Sequence, residues 1–463
     1  MNKIYFNSVY FVSSLFLIAL VAGCASVAPE KRHTPAEIAA YRVENFAAPI
    51  TSTDGELAER NSAIEKIRTA MAASNAENNL NVDAPDALSA IALFNTEQDA
   101  GRRLVHNALS EFERNLSQVS IEYQRTVIAA AYTYYASESV SALKRLLEKL
   151  STPREFAMAS YAVLKADKNA KAELKATLTR RFPDWANEPR EPRLRALERV
   201  LTTDSAAELA RRPPLADLLA APIRKIGGGL PVIYSFQRKD RQRFGLAMVR
   251  SPGGQFVRNA DGSYFNIPHL ANALTNLPGT ITNGNTPQGL FTIIGAGTAT
   301  NKWIGPTPYL HSKVPIEAAV AEYEHTELTN LIQAPEAWTE ERYESFLPAS
   351  WRGYQPFKEA FLAGLAGRDD MLIHGTTINS EYYRGASFYP GTPSAGCLVA
   401  MEYWSKSDGS LQRSDQLSLA KAFTASGIDK GYLVVVELDD RPLGVSLADV
   451  MPDVIAAESR QRQ

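Results

Sequence analysis

Cysteine is nearly absent: the 463 residues hold two, Cys24 and Cys397. So few cannot build the paired framework of a small exported domain. Charge of one sign is absent too, with 49 Lys and Arg against 51 Asp and Glu and a net charge of −2. No basic stripe offers a footprint for nucleic acid, and the net charge gives no long-range pull toward anionic membranes. The histidines lack metal-ligand spacing. His311 and His325 belong to no H-E-x-x-H, and His106 stands alone as a surface or packing residue, so no metal site is expected. Gly227-Gly228-Gly229 is followed by no Gly-Lys-Ser/Thr and reads as a flexible break, not a phosphate loop. What is present is ordinary globular composition, 45% hydrophobic and 22% charged. The length suits about two to four domains.

The apolar stretch Tyr10 to Val21 is short for a membrane span and follows Lys3, which gives it the shape of a secretory signal peptide. It ends at Val21-Ala22-Gly23-Cys24, which resembles the bacterial lipoprotein signal, whose cysteine is lipidated and becomes the first residue. That resemblance implies a signal peptide over 1–23 and a membrane anchor through acyl chains on Cys24. Each buried CH₂ of such a chain contributes about 0.8 kcal/mol. It also implies a place in the cell envelope on the periplasmic side, at the outer membrane, because Ala25 and not Asp follows the cysteine. Residues 24–55 are polar and carry Pro29, Pro35 and Pro49, as a tether does.

From Glu56 to about Arg224 the pattern is helical. Leu143, Leu146, Leu147 and Leu150 fall on one helix face. Thr152-Pro153-Arg154-Glu155 predicts a helix start with a capping box, leading into Phe156, Tyr161 and Leu164. A further helix carries Leu174, Leu178 and Phe182 and stops at Pro183. No crisp repeat stands out, but an array of α-hairpins is the reading. Beyond the boundary near Arg224 to Leu230 the period changes. Val232–Phe236, Gly245–Val249, Leu290–Ile294, Met371–Ile373, Leu398–Met401 and Leu433–Leu438 are short β-rich runs punctuated by Gly, Pro and Asn. The expected fold class is α+β and multidomain: a helical domain over 56–224, then a mainly β domain over 230–440. The β domain carries a helical insert at about 298–368, and a tail covers 441–463.

Chemistry concentrates in "YPGTPSAGCLVAME", Tyr389 to Glu402. Cys397 stands in a corner of small residues before an apolar run, and it needs a base. His374 ends another apolar run, twenty-three positions earlier. The two meet if their strands are neighbours, and imidazole can then take the thiol proton to make the attacking thiolate. Taken alone, a histidine at a strand end is more often structural.

Two motifs in order add to this. His374-Gly375-Thr376 with Ser394-Ala395-Gly396-Cys397-Leu398, and Thr286-Pro287-Gln288-Gly289-Leu290-Phe291 before them, resemble the signatures of the L,D-transpeptidase (YkuD fold) family. The similarity spans about 230 to 438 and leaves out the helical half. Val399 stands where the family usually has Arg or Asn, and Ala395 where many members have His or Lys. The resemblance implies a mainly β L,D-transpeptidase-like domain that acts on peptidoglycan stem peptides and requires no cofactor. Cys397 is then the nucleophile and His374 the base, its other ring nitrogen held by a carbonyl at Gly375. Backbone N–H groups at Gly396 and Cys397 become oxyanion donors. Ser394 either takes part in the site or only shapes the turn. Thr376 and Arg384 are candidate substrate-binding residues, Arg384 as a source of the missing positive charge. The helical domain then binds a protein partner, positions the enzyme on the wall or covers the cleft. Water in place of the acceptor amine gives a carboxypeptidase or endopeptidase. A wall-binding lipoprotein without activity is the reading from a different class.

Overall fold

The computed structural model describes residues 31–74, 82–187, 191–221, 229–326 and 337–461. The signal segment 1–23 and Cys24 lie outside the described residues. Apolar spacing of three and four builds the first half from helices Thr53–Ser74, Ala84–Phe94, Gln98–Asn115, Ile121–Tyr134, Ala136–Leu147, Pro153–Ala166, Lys171–Arg181 and Pro192–Thr202. Their inward faces share one core that includes Leu88, Phe112, Val127, Leu143, Phe156 and Leu197. The helix at Pro153 begins where its sequence signal places it, but not through a capping box. The Thr152 hydroxyl donates to the Glu155 carboxylate and caps no backbone N–H. Glu155 is fully buried, and its carboxylate is shared between the Thr152 hydroxyl and Arg125.

The second half is a closed barrel. Its strands are β2 (Val232–Gln237), β3 (Gly245–Arg250), β4 (Ile267–Leu270), β5 (Gly289–Gly297), β6 (Tyr309–Lys313), β7 (Leu372–His374), β8 (Leu398–Ala400) and β11 (Gly431–Glu437). They run in the order β5-β11-β2-β3-β4-β8-β7-β6, and β6 pairs back onto β5. Only β11–β2 and β7–β8 pair in parallel, so the sheet is mixed. The register of β5 against β6 shifts between Ile293 and Ala296, where Gly295 has φ +143°, and such a bulge bends a strand toward closure. One apolar cluster takes a side chain from every barrel strand, among them Ile233, Phe291, Leu310, Ile373 and Leu398, and is therefore the interior. Leu419, Ala420 and Phe423 of the helix Asp415–Thr424 belong to the same cluster. Two short strands, β9 (Glu402–Trp404) and β10 (Leu411–Ser414), form a separate ribbon.

Several boundaries differ from the sequence expectation. Residues 31–55, read as tether, lie on the barrel: β1 (Arg32–His33) pairs with β5, Ile38 enters the interior cluster, and Phe46 packs on Leu411 and Leu417. Residues 441–463, read as a tail, carry the helix Leu447–Gln461, whose Val450 and Val454 are fully buried over the outer barrel wall. The helix Leu215–Ala220 belongs to that wall as well, so the core changes before the glycine break and not at it. The insert is also shorter than expected, because β6 lies within 298–368 and is a barrel strand. The insert proper starts after Lys313 with helices Val320–Tyr323, Glu340–Ser345 and Glu359–Leu365. It covers the outer face of β2, β5 and β11 through Tyr323, Tyr343, Trp351 and Phe361. The outer face of β7, β8 and β4 is left to the loop 375–397 and to the helical unit. Tyr383 OH donates to Leu93 O at 2.8 Å, Tyr132 OH to Asn276 O at 2.9 Å and Thr133 Oγ1 to Thr275 O at 2.9 Å.

Candidate active site

β7 and β8 are parallel neighbours with Ile373 opposite Leu398 and His374 opposite Val399. Ile373 and Leu398 point inward, so alternation turns Leu372, His374 and Cys397 to the outer face. The Leu372 N–H points at Cys397 Sγ from 3.3 Å. His374 Nδ1 donates to Gly375 O. A carbonyl only accepts, so Nδ1 carries the proton and Nε2 keeps a lone pair. The Cys397 thiol points at Asp370 O from 3.7 Å and lies within electrostatic reach of His374. Burial pulls the imidazole toward neutrality. Cys397, the Gly375 carbonyl and the charge of Glu402 outweigh it, and His374 is held above its ordinary value.

The turn before Cys397 is built from both motifs. Ser394 Oγ accepts the Gly396 N–H at 3.0 Å and donates to Cys397 O at 2.8 Å, so this hydroxyl shapes the turn. It also engages the Gly396 N–H that the sequence offered as an oxyanion donor. Thr286 Oγ1, from the first motif, donates to Gly396 O at 2.9 Å. Gly396 has φ +124°, and a Cβ there would fall 2.1 Å from Arg368 Nη2 and 2.8 Å from Gly284 O. Only glycine fits this combination of backbone and space. Arg368 is buried and donates through Nη1 to Gly279 O at 2.5 Å and Asn285 O at 2.8 Å, and through Nη2 to Gly284 O at 3.0 Å. It thus ties the loop 279–285 against the cysteine turn.

Thr376 is buried, accepts the Ile378 N–H at 3.1 Å and lines one cavity with His374 and Cys397. Arg384 does not join them. Its side chain is 73% exposed and paired with Glu381, because a short helical turn, Ser380–Tyr383, carries it outward. Gly289 is structural, since a Cβ would strike Ala360 and Tyr343 of the insert. His106 is exposed, and His325 bonds Thr292 and the Gly431 carbonyl. His311, Glu317 and Asp370 form one cluster of metal-ligating types among the described residues. Glu317 accepts the backbone N–H groups of Asp370 and Val314, each at 3.0 Å, and burial pushes it up to about 8.

Sequence reasoning named neither Arg368 nor Glu402. Glu402 is half-buried as a residue, but its Oε2 is enclosed without a hydrogen-bond partner, while Oε1 accepts from Ser414 Oγ at 2.7 Å. A Cβ on Gly375 would fall 2.1 Å from the Glu402 carboxyl carbon, so the glycine makes room for this group behind the histidine. Burial raises Glu402 to about 7, opposed in part by Ser414, by Thr307, by the His374 charge and by the Thr376 backbone N–H. The folded value lies above the unfolded one. The folded chain therefore holds the proton longer, and stability is lost as pH rises from about 4.5 to about 7. The loss is at most about 3 kcal/mol, the equivalent of the shift. Glu402→Gln should flatten the fall of the melting midpoint across that window, and parallel curves for the two proteins would dismiss the assignment.

Comparison with protein-family models, with curated proteins and with solved structures returns no match for this chain.

Proposed function

We propose that this chain is a cysteine-dependent acyltransferase of the L,D-transpeptidase type, acting on peptidoglycan stem peptides in the cell envelope and anchored there through Cys24. The observation that carries the reading is the Cys397–His374 pair: outward-facing, lining one cavity, and with the imidazole tautomer fixed by Gly375 O. Cys397 Sγ attacks the carbonyl of the L-centre residue, and an S–C bond forms. The C–N bond to the terminal D-alanine breaks as His374 returns the thiol proton to the leaving amine. The amine of a second stem peptide then takes the acyl group from the thioester, gives its proton to His374 and releases the thiolate. With water in that place the products are those of a carboxypeptidase. Backbone donors near the turn matter because negative charge develops on the carbonyl oxygen in both steps.

One observation favours the contrasting reading, a wall-binding lipoprotein with an inert thiol: Cys397 is 1% exposed. The two readings separate on products. A chain beginning at Ala25 keeps every described residue. Incubated with disaccharide-tetrapeptide and followed by mass spectrometry, it should release D-alanine and form dimer, and Cys397→Ala should do neither. Release without dimer assigns hydrolysis. No Cys397-dependent product dismisses the enzyme reading for this substrate.

A further inference from the structure

Three cavities meet at the cysteine turn, and Ala395 lines all of them. One holds His374 and Cys397. A second lies on the other side of Cys397, beside Arg368 and Asp370. The third is a groove leading away between the barrel and the helical unit. Its far wall is Ala92 of Ala84–Phe94 and Ala129, Ala130 and Thr133 of Ile121–Tyr134, facing Leu274 and Asn283. The groove shares Leu274, Ser394 and Ala395 with the His374 cavity, so the two are continuous.

The lining of this groove carries no charged side chain. Its Ser and Thr hydroxyls on the helical side are engaged by their own helices: Ser89 bonds Pro85 O, Thr126 bonds Glu122 O and Thr133 bonds Ala129 O. Asn283 differs. It is 6% exposed, its Oδ1 is buried with no hydrogen-bond partner, and its backbone has φ +62°. It lines both the groove and the cavity beside Arg368. An unpaired buried carbonyl is destabilising, and asparagine tolerates the left-handed backbone that aims it. A group left in that state beside a nucleophile suits a ligand that supplies the missing donor.

We propose that this groove is a substrate subsite, built half by the helical unit, for an uncharged peptide segment whose backbone N–H donates to Asn283 Oδ1. The proposal rests on the acyl-transfer reading above and deepens it. The occupant is uncharged because a charge would enter with no counterion and lose its hydration. It is a peptide because the groove opens onto a sulfur that, on this reading, attacks a peptide carbonyl. The helical unit is then part of the site and selects what reaches Cys397.

The test is calorimetric binding of disaccharide-tetrapeptide to the Cys397→Ala protein, which cannot turn it over. Asn283→Gly suits the positive φ and removes the acceptor. Ala129→Leu fills the groove from the helical side. Each should weaken binding about tenfold, the effect of one lost hydrogen bond or blocked contact, and Asn283→Gly, which removes an unpaired buried carbonyl, should not lower the melting midpoint. Unchanged affinity in both variants overturns the subsite, and so does a parent protein that does not bind. The function reading fails differently: a parent that binds, variants that weaken, and a wild-type protein that makes no product leave the subsite standing and dismiss the acyltransferase.

Discussion

Replacing His374 by asparagine should slow Cys397-dependent acyl transfer about 10²–10⁴-fold, the usual contribution of a positioned general base. Asparagine can keep a donor for Gly375 O, so the melting midpoint should move little. The pH profile is the sharper reading. In the wild-type chain His374 is held above its ordinary value by Cys397, Gly375 O and Glu402 against the pull of burial. The imidazolium therefore persists to higher pH, and a cation beside a thiol favours the thiolate, the form that is alkylated. Iodoacetamide alkylation of Cys397 should accordingly begin at lower pH in the wild-type protein than in His374→Asn. In His374→Asn the onset moves up, because burial disfavours a thiolate that has lost its cation. Rates measured from pH 5 to 10 decide the matter. Superimposed profiles would mean that the histidine does not govern the thiol, and the pair would be no more than a buried contact.

The parts of this molecule that were legible in sequence share one property: their signal is local. Helical spacing around Leu143 to Leu150 and the start at Pro153 needed no knowledge of the rest of the chain. The small-residue corner around Cys397 and the strand-ending His374 were local as well. Their meeting was long-range, but required only that two apolar runs lie side by side, as β7 and β8 do. What was missed depends on distant partners. β6 reads "YLHSK", too polar to stand out, and becomes a strand through pairing with β5 and β7. The helix Leu447–Gln461 contains Pro452, which hides its period. The tether settles on the barrel because Ile38 finds the interior cluster, which nothing near it announces. The same holds in the site. Arg384 was chosen as the cation because it is close in sequence to the motif, while the guanidinium against the turn comes from Arg368, at the end of the insert. Glu402 lies only five residues past Cys397, yet its importance depends on Gly375 having no side chain.

Arg368→Met should be the most destabilising of the substitutions considered and should abolish acyl transfer with it. The guanidinium serves three carbonyls, of Gly279, Gly284 and Asn285, that nothing on a methionine can satisfy. Bonds to a charged donor contribute about 1.5–3 kcal/mol each, and losses are not additive, so about 3–5 kcal/mol is the expected cost. In a unit the size of the barrel that lowers the melting midpoint by roughly 10 °C. Arg384→Ala is the matched control. It removes an exposed cation that pairs with Glu381 and lies over the Tyr389 ring, and exposed pairs of that kind contribute little. If Arg384→Ala proved the costlier change, the choice between the two arginines would reverse. A double-mutant cycle tests the contact itself. Gly396→Ala drives a methyl into Arg368 Nη2 and Gly284 O and holds φ at +124°, so it should be severe alone. In the Arg368→Met background the flexible thioether can yield to that methyl, leaving the backbone strain and the Gly284 clash. The second substitution should then be less damaging than in the wild-type chain, a coupling that additive, unconnected sites would not show.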